Sequence, residues 1–395
     1  MANAQVQLVC LAPSLVITSV EKTNNEHPFH PFLTTTSQAN DTRDGNDTPP
    51  PAVQHQQRHA RLIPTLLELL FYSSERQGMD ASAPRFLSYV ETQHEISIVF
   101  EEQLLSMFPD DALEYEPIRW KALQVASAGT GAFLNQLAVL TELTTQLAKH
   151  NVSVFQISTY QTDYVLVKIE DLKVAITCLE SFCYIEMENG DEVHISSSSL
   201  DDATDNANPV DMSPEGAQRD DLAVHHHVLS VPDIDLYLVQ IDKSCVRRHM
   251  YNLIRLLFGH NVNVEGNPSS KGKLFLSYSE TGDDISVVTY DKVFVEEMQS
   301  LASSGDQGVM VSPDSWKVVQ VGDTNLGFAE TGIVAGQTRV LLSSGTMVFY
   351  LSTFATDFMM IKEDEWDDAL PILRSHFHVL EGRFAPLMTT VSSSR

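Results

Sequence analysis

The sequence predicts an α+β protein of four small modules in two pairs, each module with an antiparallel sheet covered by helices on one face. Two observations predict this class. Apolar residues at helical spacing alternate along the chain with short runs typical of strands. Several sequence blocks also recur in the same order, roughly 190 residues apart, which indicates an internal duplication.

The clearest repeated block is RFLSYVETQHEISIV at residues 85–99, which returns as LFLSYSETGDDISVV at residues 274–288. Over the fourteen positions that start at the shared phenylalanine, nine are identical. A second block, STYQTDY from Ser158, returns as STFATDF from Ser352. Because duplicated halves begin alike, the positions at which they now differ are candidates for a specialised site.

The first half contains a regular succession of predicted elements. They are a β-rich run at 5–20, a buried helix at 62–71, strands at 86–89, 96–100 and 122–126, an amphipathic helix at 137–149, and a hairpin of strands 152–157 and 164–169. Asp171 then suits the first turn of a helix whose apolar face would carry Leu172, Ile176, Leu179 and Cys183.

The second half repeats this series. Its predicted elements are a strand at 228–231, a helix at 253–258, a hairpin at 347–361 and a helix at 364–377. Pro371 lies inside the last helix, where a proline should kink or shorten it.

The domain organisation follows from these elements and from polar stretches between them. The predicted segments are module 1 at 1–128 with a disordered insert at 22–59, module 2 at 129–186, an acidic disordered linker at 187–226, module 3 at 227–326, module 4 at 327–382, and a flexible tail at 383–395.

Composition narrows the function classes. The net charge of −28 repels a phosphate backbone and argues against nucleic-acid binding. An uninterrupted apolar run long enough to span a bilayer is absent from the sequence, and the N-terminus lacks a cationic signal region. The four cysteines lack CxxC spacing and suit a reducing compartment. We therefore expect a cytoplasmic protein that binds neither nucleic acid nor membrane.

Motifs of known chemistry do not occur in the sequence. It contains no phosphate-binding GxxxxGK[ST], no HExxH, no GxSxG and no GxGxxG after a predicted strand. Histidines cluster at 225–227 and in the predicted insert, but polar tracts of this kind rarely form a metal site. The expectation is a protein with no catalytic residues, no metal and no cofactor, and hence not an enzyme.

One difference between the halves points to a ligand. Glu330 stands where the first half has Gly129, and Asp357 lies on the following hairpin. Two carboxylates near a glycine-flanked helix start can hold a guanidinium or ammonium group, while the free N–H groups of the helix hold a carboxylate. The alternative is that Glu330 lies on the surface and Asp357 only stabilises a turn.

The strings STYQTD at 158–163 and GFAETGIV at 327–334 resemble those of the CASTOR family of cytosolic arginine sensors, and the similarity extends over most of the chain outside the inserts. The resemblance implies four ACT modules of βαββαβ topology, as in the regulatory domains of aspartate kinases. It also implies that arginine, or a related amino acid, binds between the second and fourth modules. The matching positions are Ser153, Val154, Gly327, Glu330, Gly332, Ile333, Val334, Thr353, Phe354 and Asp357.

The resemblance further implies a partner, the second GATOR complex, which controls TOR signalling. The family's surface for this complex matches Tyr160, Gln161 and Asp163. Two alternatives to a sensor remain open: a ligand-free ACT scaffold, or a regulatory subunit related to amino-acid kinases. Whether the protein forms a homodimer is also left open by the sequence.

Overall fold

The structure, a computed structural model, describes residues 6–22, 62–72, 86–110, 112–126, 133–188, 227–258, 275–282, 284–322 and 326–385. The predicted insert, linker and tail lie almost entirely outside these residues, as does Gly129. Helices and strands alternate along the described parts, so the predicted α+β class is confirmed.

The first half contains nine strands and three α-helices among its described residues. They are β1 (Val6–Cys10), β2 (Leu15–Glu21), α1 (62–67, continued by a π-helical turn at Glu68–Tyr72), β3 (Phe86–Thr92), β4 (Glu95–Glu101), β5 (Glu114–Tyr115), β6 (Trp120–Ala126), α2 (Phe133–Lys149), β7 (Val154–Ser158), β8 (Asp163–Lys168), α3 (Leu172–Leu179) and β9 (Cys183–Met187). The prediction for Cys183 was wrong: α3 ends at Leu179, and Cys183 begins a strand.

The second half continues the series. Its described elements are β10 (Leu229–Val231), β11 (Asp235–Asp242), α4 (Val246–Phe258), β12 (Phe275–Thr281), β13 (Asp284–Thr289), α5 (Lys292–Ser303), β14 (Val309–Val321), α6 (Ile333–Leu341), β15 (Val348–Ser352), β16 (Asp357–Lys362), α7 (Glu363–His376) and β17 (Val379–Glu381). Helix α4 begins seven residues before its predicted start. Helix α7 runs through Pro371 to its predicted end, so this proline does not shorten it.

The strands close into one barrel rather than separate sheets. The ring of hydrogen-bonded neighbours runs β6, β8, β7, β15, β16, β14, β11, β13, β12, β3, β4 and β2, and returns to β6 through the pair Leu15 and Trp120. Two parallel pairs flank the ring, β1 with β9 and β10 with β17. Strand β1 also pairs with β6. The two parallel pairs cross the predicted module boundaries, because β9 lies in predicted module 2 and β17 in predicted module 4.

The repeated sequence blocks pair with each other at two seams between the halves. At the first seam β3 runs antiparallel to β12, and its register places Tyr89 opposite Tyr278. These tyrosines occupy the same position in the two copies of the repeat. The register therefore places a local two-fold axis between them, and the side-chain oxygens of Ser88 and Ser279 lie 3.1 Å apart beside it.

The second seam joins β7 to β15, again between equivalent residues, Ile157 and Leu351. Each strand donates one backbone N–H to a serine of the other. The N–H of Gln156 donates to Ser352 Oγ, and the N–H of Tyr350 donates to Ser158 Oγ, both at 3.0 Å. This reciprocal pair links the end of one half to the end of the other.

Aromatic side chains fill the interior of the barrel, because alternate residues of its strands point inward. The same pair occurs in both halves: Phe86 meets Tyr164 with ring centroids 5.2 Å apart, and Phe275 meets Phe358 at 5.1 Å. Both pairs are edge-to-face, the arrangement that ring quadrupoles favour. The duplication is thus preserved in the core as well as in the sequence.

Candidate functional site

The candidate site is a narrow cavity at the second seam, bounded by the start of β7, the segment before α6 and the β15–β16 hairpin. Eight of the ten residues proposed from the resemblance line it. They are Ser153, Val154, Gly327, Glu330, Ile333, Thr353, Phe354 and Asp357. Ser153 and Val154 belong to the first half and the other six to the second, so the cavity spans the two halves.

Asp357 forms the buried acidic wall of the cavity, with 7% of its surface exposed. The hydroxyl of Tyr350 donates to its Oδ2 at 2.9 Å, and the side chain of Ser352 also bonds to it. Burial, assisted by the nearby charge of Glu330, raises the pKa of Asp357 to about 6, although its two hydrogen bonds act in the opposite direction. Asp357 is therefore mostly ionised at neutral pH and favours a cationic neighbour.

Glu330 lies at the mouth of the cavity, with its side chain about one quarter exposed. Its Oε1 is 2.9 Å from Nε2 of His227, the first described residue after the predicted linker. Glu330 is therefore only partly exposed. Glu330 already contacts a side chain that becomes cationic when protonated.

The segment before α6 owes its shape to two glycines. Gly327 has φ +65° and Gly332 has φ +80°, both in the left-handed region that side chains with a Cβ rarely adopt. Gly332 is the N-cap of α6, and because glycine has no side chain, the N-cap residue cannot accept from the first N–H groups of the helix. These groups, at Ile333 and Val334, suit a carboxylate.

Three contacts hold this segment against the rest of the cavity. Ser153 Oγ donates to the carbonyl oxygen of Phe328 at 2.9 Å. The N–H of Leu326 donates to the carbonyl oxygen of Ala355 at 3.0 Å. The Glu330 and His227 pair is the third. The space that remains is about 20 Å³, roughly room for one water molecule. An amino acid therefore fits only if the segment moves outward.

Two proposed residues lie beside the cavity rather than on its wall. Gly332 shapes the start of α6, and Val334 is 1% exposed in the core under that helix. Thr353 lines the cavity and also bonds away from it, since its hydroxyl donates to Glu95 Oε1 at 2.6 Å. The hairpin that carries Thr353 thus connects the candidate site to β4.

Sequence reasoning missed several residues of the site. Trp120, Phe155, Leu326, Phe328 and Ser352 also line the cavity, while Tyr350 and His227 support its two acids. Ser352 lies in the repeated STYQTD block, so its recurrence was a usable signal. His227 belongs to the histidine tract at 225–227. No local pattern marks His227 or Tyr350 as a partner of the two acids, because these contacts form only in the folded chain.

The three proposed partner residues differ in exposure. Gln161 is exposed and Tyr160 is half-buried, as a docking surface requires. Asp163 is only 3% exposed and accepts a hydrogen bond of 2.5 Å from Ser158 Oγ. Any effect of Asp163 on a partner would therefore act through the hairpin that it stabilises.

Other site types were sought in the same residues. Over the described ranges no three His, Cys, Asp or Glu side chains are grouped so as to hold a metal ion. No helix within those ranges is both long enough and apolar enough to cross a bilayer.

Comparison with known domain families identifies the class of this protein. The profile of the ACT domain matches residues 116–181 and 311–375, which include β7, β8, α6 and the β15–β16 hairpin. The protein is thus an ACT-domain protein with at least two such domains, one from each half. Both matches begin before the predicted module boundaries at 129 and 327.

A second profile narrows the class. The family model described as "Cytosolic arginine sensor for mTORC1 subunit 1/2, ACT-like" matches residues 55–116. The chain is 28% identical over 322 residues to the cytosolic arginine sensor for mTORC1 subunit 1 of Rattus norvegicus, covering 78% of this chain and 89% of that protein. It is 32% identical to the putative human protein CASTOR3P, of which it covers 76%. The chain belongs to the CASTOR family.

Among solved structures, an aspartate kinase from Synechocystis can be superposed on this chain with a TM-score of 0.30 and 11% sequence identity. The superposition covers 95% of this chain and 56% of the kinase chain. A TM-score this low supports no argument. The rat and human proteins among the sequence relatives are named as arginine sensors and not as enzymes.

Proposed function

We propose that the protein is a non-enzymatic, cytoplasmic arginine sensor that regulates a component of the TOR pathway. The observation that best supports the proposal is that residues of both halves line one cavity, whose wall includes the two acids Glu330 and Asp357. Membership of a family whose studied relatives are named cytosolic arginine sensors supports it. The chain would consist of four βαββαβ modules, with the ligand between the second and fourth.

The proposed pose follows from charge. The guanidinium of arginine would lie between Asp357 and Glu330, where charge-assisted hydrogen bonds to two carboxylates favour it. The α-carboxylate would meet the N–H groups of Ile333 and Val334 at the start of α6. Lysine offers one point charge in place of a planar fork and should bind less well.

Ligand binding would be coupled to the seam. Entry of arginine displaces the segment before α6 and breaks its contact with Ser153 on the approach to β7. Asp357 is also bonded to Ser352, which accepts the N–H of Gln156 across the seam. A cation at Asp357 therefore favours one relative position of the two halves over another, and the ligand shifts the population between them.

Calorimetry with arginine, lysine and citrulline tests the ligand. Citrulline has the shape of arginine without its charge, so we expect arginine to bind and citrulline not to. Glu330→Gln and Asp357→Asn should each weaken arginine binding by about 2–5 kcal/mol, or roughly 30-fold and more, because each leaves the other charges poorly paired.

Asp314→Asn is the control, since Asp314 pairs with Lys362 and does not line the cavity. Its arginine affinity should stay unchanged. Equal binding of arginine and citrulline, or unaltered affinity in both acid variants, would place the ligand elsewhere.

We further propose that Tyr160 and Gln161 form part of the surface for a GATOR-type complex, and that Asp163 supports this surface by holding their hairpin. Tyr160→Ala should abolish capture of that complex without unfolding the protein, although the lost packing against the aromatic core should lower the melting temperature. Tyr251→Ala is the control, because Tyr251 is 74% exposed on α4, on a different element. Complex retained by the Tyr160 variant would remove this hairpin from the interface. Sizing by light scattering would settle whether a homodimer forms.

A ligand-free scaffold is the second candidate, and the narrowness of the cavity favours it. A space of about 20 Å³ has no room for an amino acid without movement of the surrounding segment. A thermal-shift panel of amino acids separates the candidates. A shift with arginine supports a sensor, since ligand bound only to the folded state stabilises it. No shift with any amino acid supports the scaffold.

A further inference from the structure

A larger cavity lies at a different junction, away from the candidate arginine site. It has a volume of about 230 Å³ and separates the hairpin between β7 and β8 from the turn between β12 and β13. Its wall includes Thr159, Tyr160, Gln161, Tyr164, Asp284 and Ser286. Like the candidate arginine site, this cavity lies between the first half and the second, but the two cavities share no lining residue.

The duplication supplies an internal comparison, because an equivalent junction exists elsewhere in the molecule. There the β15–β16 hairpin packs on the turn between β3 and β4. The N–H of Phe354 donates to Ser97 Oγ at 3.0 Å, and in the same way the N–H of Tyr160 donates to Ser286 Oγ at 3.0 Å. The two hairpins therefore dock through the same contact.

The two junctions differ in how they are closed. Glu95 fills one of them: its Oε1 accepts hydrogen bonds from Thr353 Oγ1 at 2.6 Å and from the N–H of Ala355 at 3.1 Å. Thr353 and Phe354 are each less than one tenth exposed as a result. The junction is sealed by a carboxylate that belongs to the protein itself.

The residue equivalent to Glu95 is Asp284, whose side chain is shorter by one methylene. Asp284 Oδ1 accepts from Gln240 Nε2 at 2.6 Å, on its own sheet, and the cavity lies between Asp284 and the hairpin. The equivalent hairpin residue, Gln161, is exposed where Ala355 is partly buried. One junction is thus sealed by a carboxylate, whereas its counterpart is open and has a carboxylate on its wall.

The chemistry of the wall selects the ligand. Among the lining residues that the structure describes, Asp284 is the one formally charged group, and most of the others offer hydroxyl or amide groups. Burial raises the pKa of both Tyr160 and Tyr164, so both phenols are neutral donors and acceptors at pH 7. The described wall therefore presents carboxylate, hydroxyl and amide oxygens, to which a cationic N–H donor can bond.

We propose that this cavity binds a guanidinium or primary ammonium group, held by Asp284 and the hairpin at 159–162. A free amine or amino acid and an arginine or lysine side chain of a protein carry the same group. The proposal does not depend on the arginine site, because the two cavities are lined by different residues.

Fluorine NMR of protein labelled with 3-fluorotyrosine tests the proposal, since Tyr160 and Tyr164 both line the cavity. Tyr160→Phe and Tyr164→Phe assign the two signals. The probes are n-butylguanidinium and its neutral isostere n-butylurea. We expect the guanidinium alone to shift the two signals in a saturable way. The same titration in Glu330→Gln protein should give the same curve, which separates this cavity from the arginine site.

Two substitutions of Asp284 make the test sharp. Asp284→Asn removes the charge at nearly constant shape and should weaken binding about tenfold or more. Asp284→Glu keeps the charge but lets the carboxylate reach the hairpin as Glu95 does, so binding should be lost while the melting temperature does not fall. Asp314→Asn removes a nearby acid that pairs with Lys362 and does not line the cavity; its binding should equal that of the unaltered protein.

A capped tripeptide, alanine-arginine-alanine, separates the sources of the group. Binding of n-butylguanidinium without the tripeptide supports a small ligand, and binding of the tripeptide supports a protein side chain. Equal shifts with n-butylurea, unchanged binding in Asp284→Glu, or no shift with any cationic probe would each overturn the proposal.

Discussion

Asp357 controls the ionic state of the candidate site at the scale of single residues. Its burial opposes ionisation, and its bonds to Tyr350 and Ser352 compensate only in part, so its pKa lies at about 6 instead of 3.8. A carboxyl whose pKa is higher in the folded state stabilises that state most when it is protonated, below pH 3.8. That contribution is lost as pH rises through about 6.

Asp357→Asn should remove this pH dependence. From the shift in pKa, the free energy of unfolding of the unaltered protein should fall, relative to the variant, by roughly 1.5 kcal/mol between pH 5.0 and 7.5. Urea unfolding at each pH measures the difference. Glu330→Gln should reduce the effect, because the charge of Glu330 contributes to the raised pKa. Parallel stability profiles of the variant and the unaltered protein would contradict this account of Asp357.

The acids of the site could be proposed from the sequence, and the residues that tune them could not. Glu330 stood out as a difference between aligned halves, and Asp357 as the end of a repeated block. Tyr350 and His227 act through contacts with these acids that depend on how the chain folds. The same holds for Asp284, whose role appears only when its junction is compared with that of Glu95.

Helices and hairpins were mostly predictable as elements, because apolar periodicity is a local property. Helix α7 is instructive, since the pattern located its ends to within one residue although Pro371 lies inside it. Contacts of Ala369 and Leu373 with the core hold the helix together despite the missing N–H. Tertiary packing here outweighs the local preference.

Pro371→Ala should therefore stabilise the protein. The substitution restores one backbone hydrogen bond and removes a steric conflict, which in a helix interior amounts to about 1–3 kcal/mol. Residue 371 is exposed, so no core contact is lost. Chemical denaturation measures the gain, and Leu373→Ala, which cuts a core contact of the same helix, serves as the opposite control. A loss of stability in Pro371→Ala would mean that the proline fits a bend the helix requires.

The whole molecule is held together where the two copies of the repeat meet. Strands β3 and β12 carry nearly the same sequence and pair about the Tyr89 and Tyr278 position. Both strands are buried along their full length. The block with the strongest repeat is thus the one that joins the halves, which explains why it has diverged so little.

A disulfide across this seam would test the arrangement. Ser88 and Ser279 are direct cross-strand partners with their oxygens 3.1 Å apart, so Ser88→Cys with Ser279→Cys should oxidise readily. With a protease site introduced near residue 205, cleavage should leave the two halves linked on a non-reducing gel and separate on a reducing one. Each single-cysteine variant is the control. Separate halves without reductant would show that the strands do not pair in this register.

The sequence by itself determined the α+β class, the duplication, most elements and the two candidate acids, because these depend on local periodicity or on identity between distant blocks. The tertiary structure alone decided that the repeats pair antiparallel with each other and that the sheet closes into a barrel. It also decided that one junction is sealed by Glu95 while its counterpart at Asp284 is open. Strand register and the reach of a side chain depend on contacts between residues far apart in the chain, which no local pattern records.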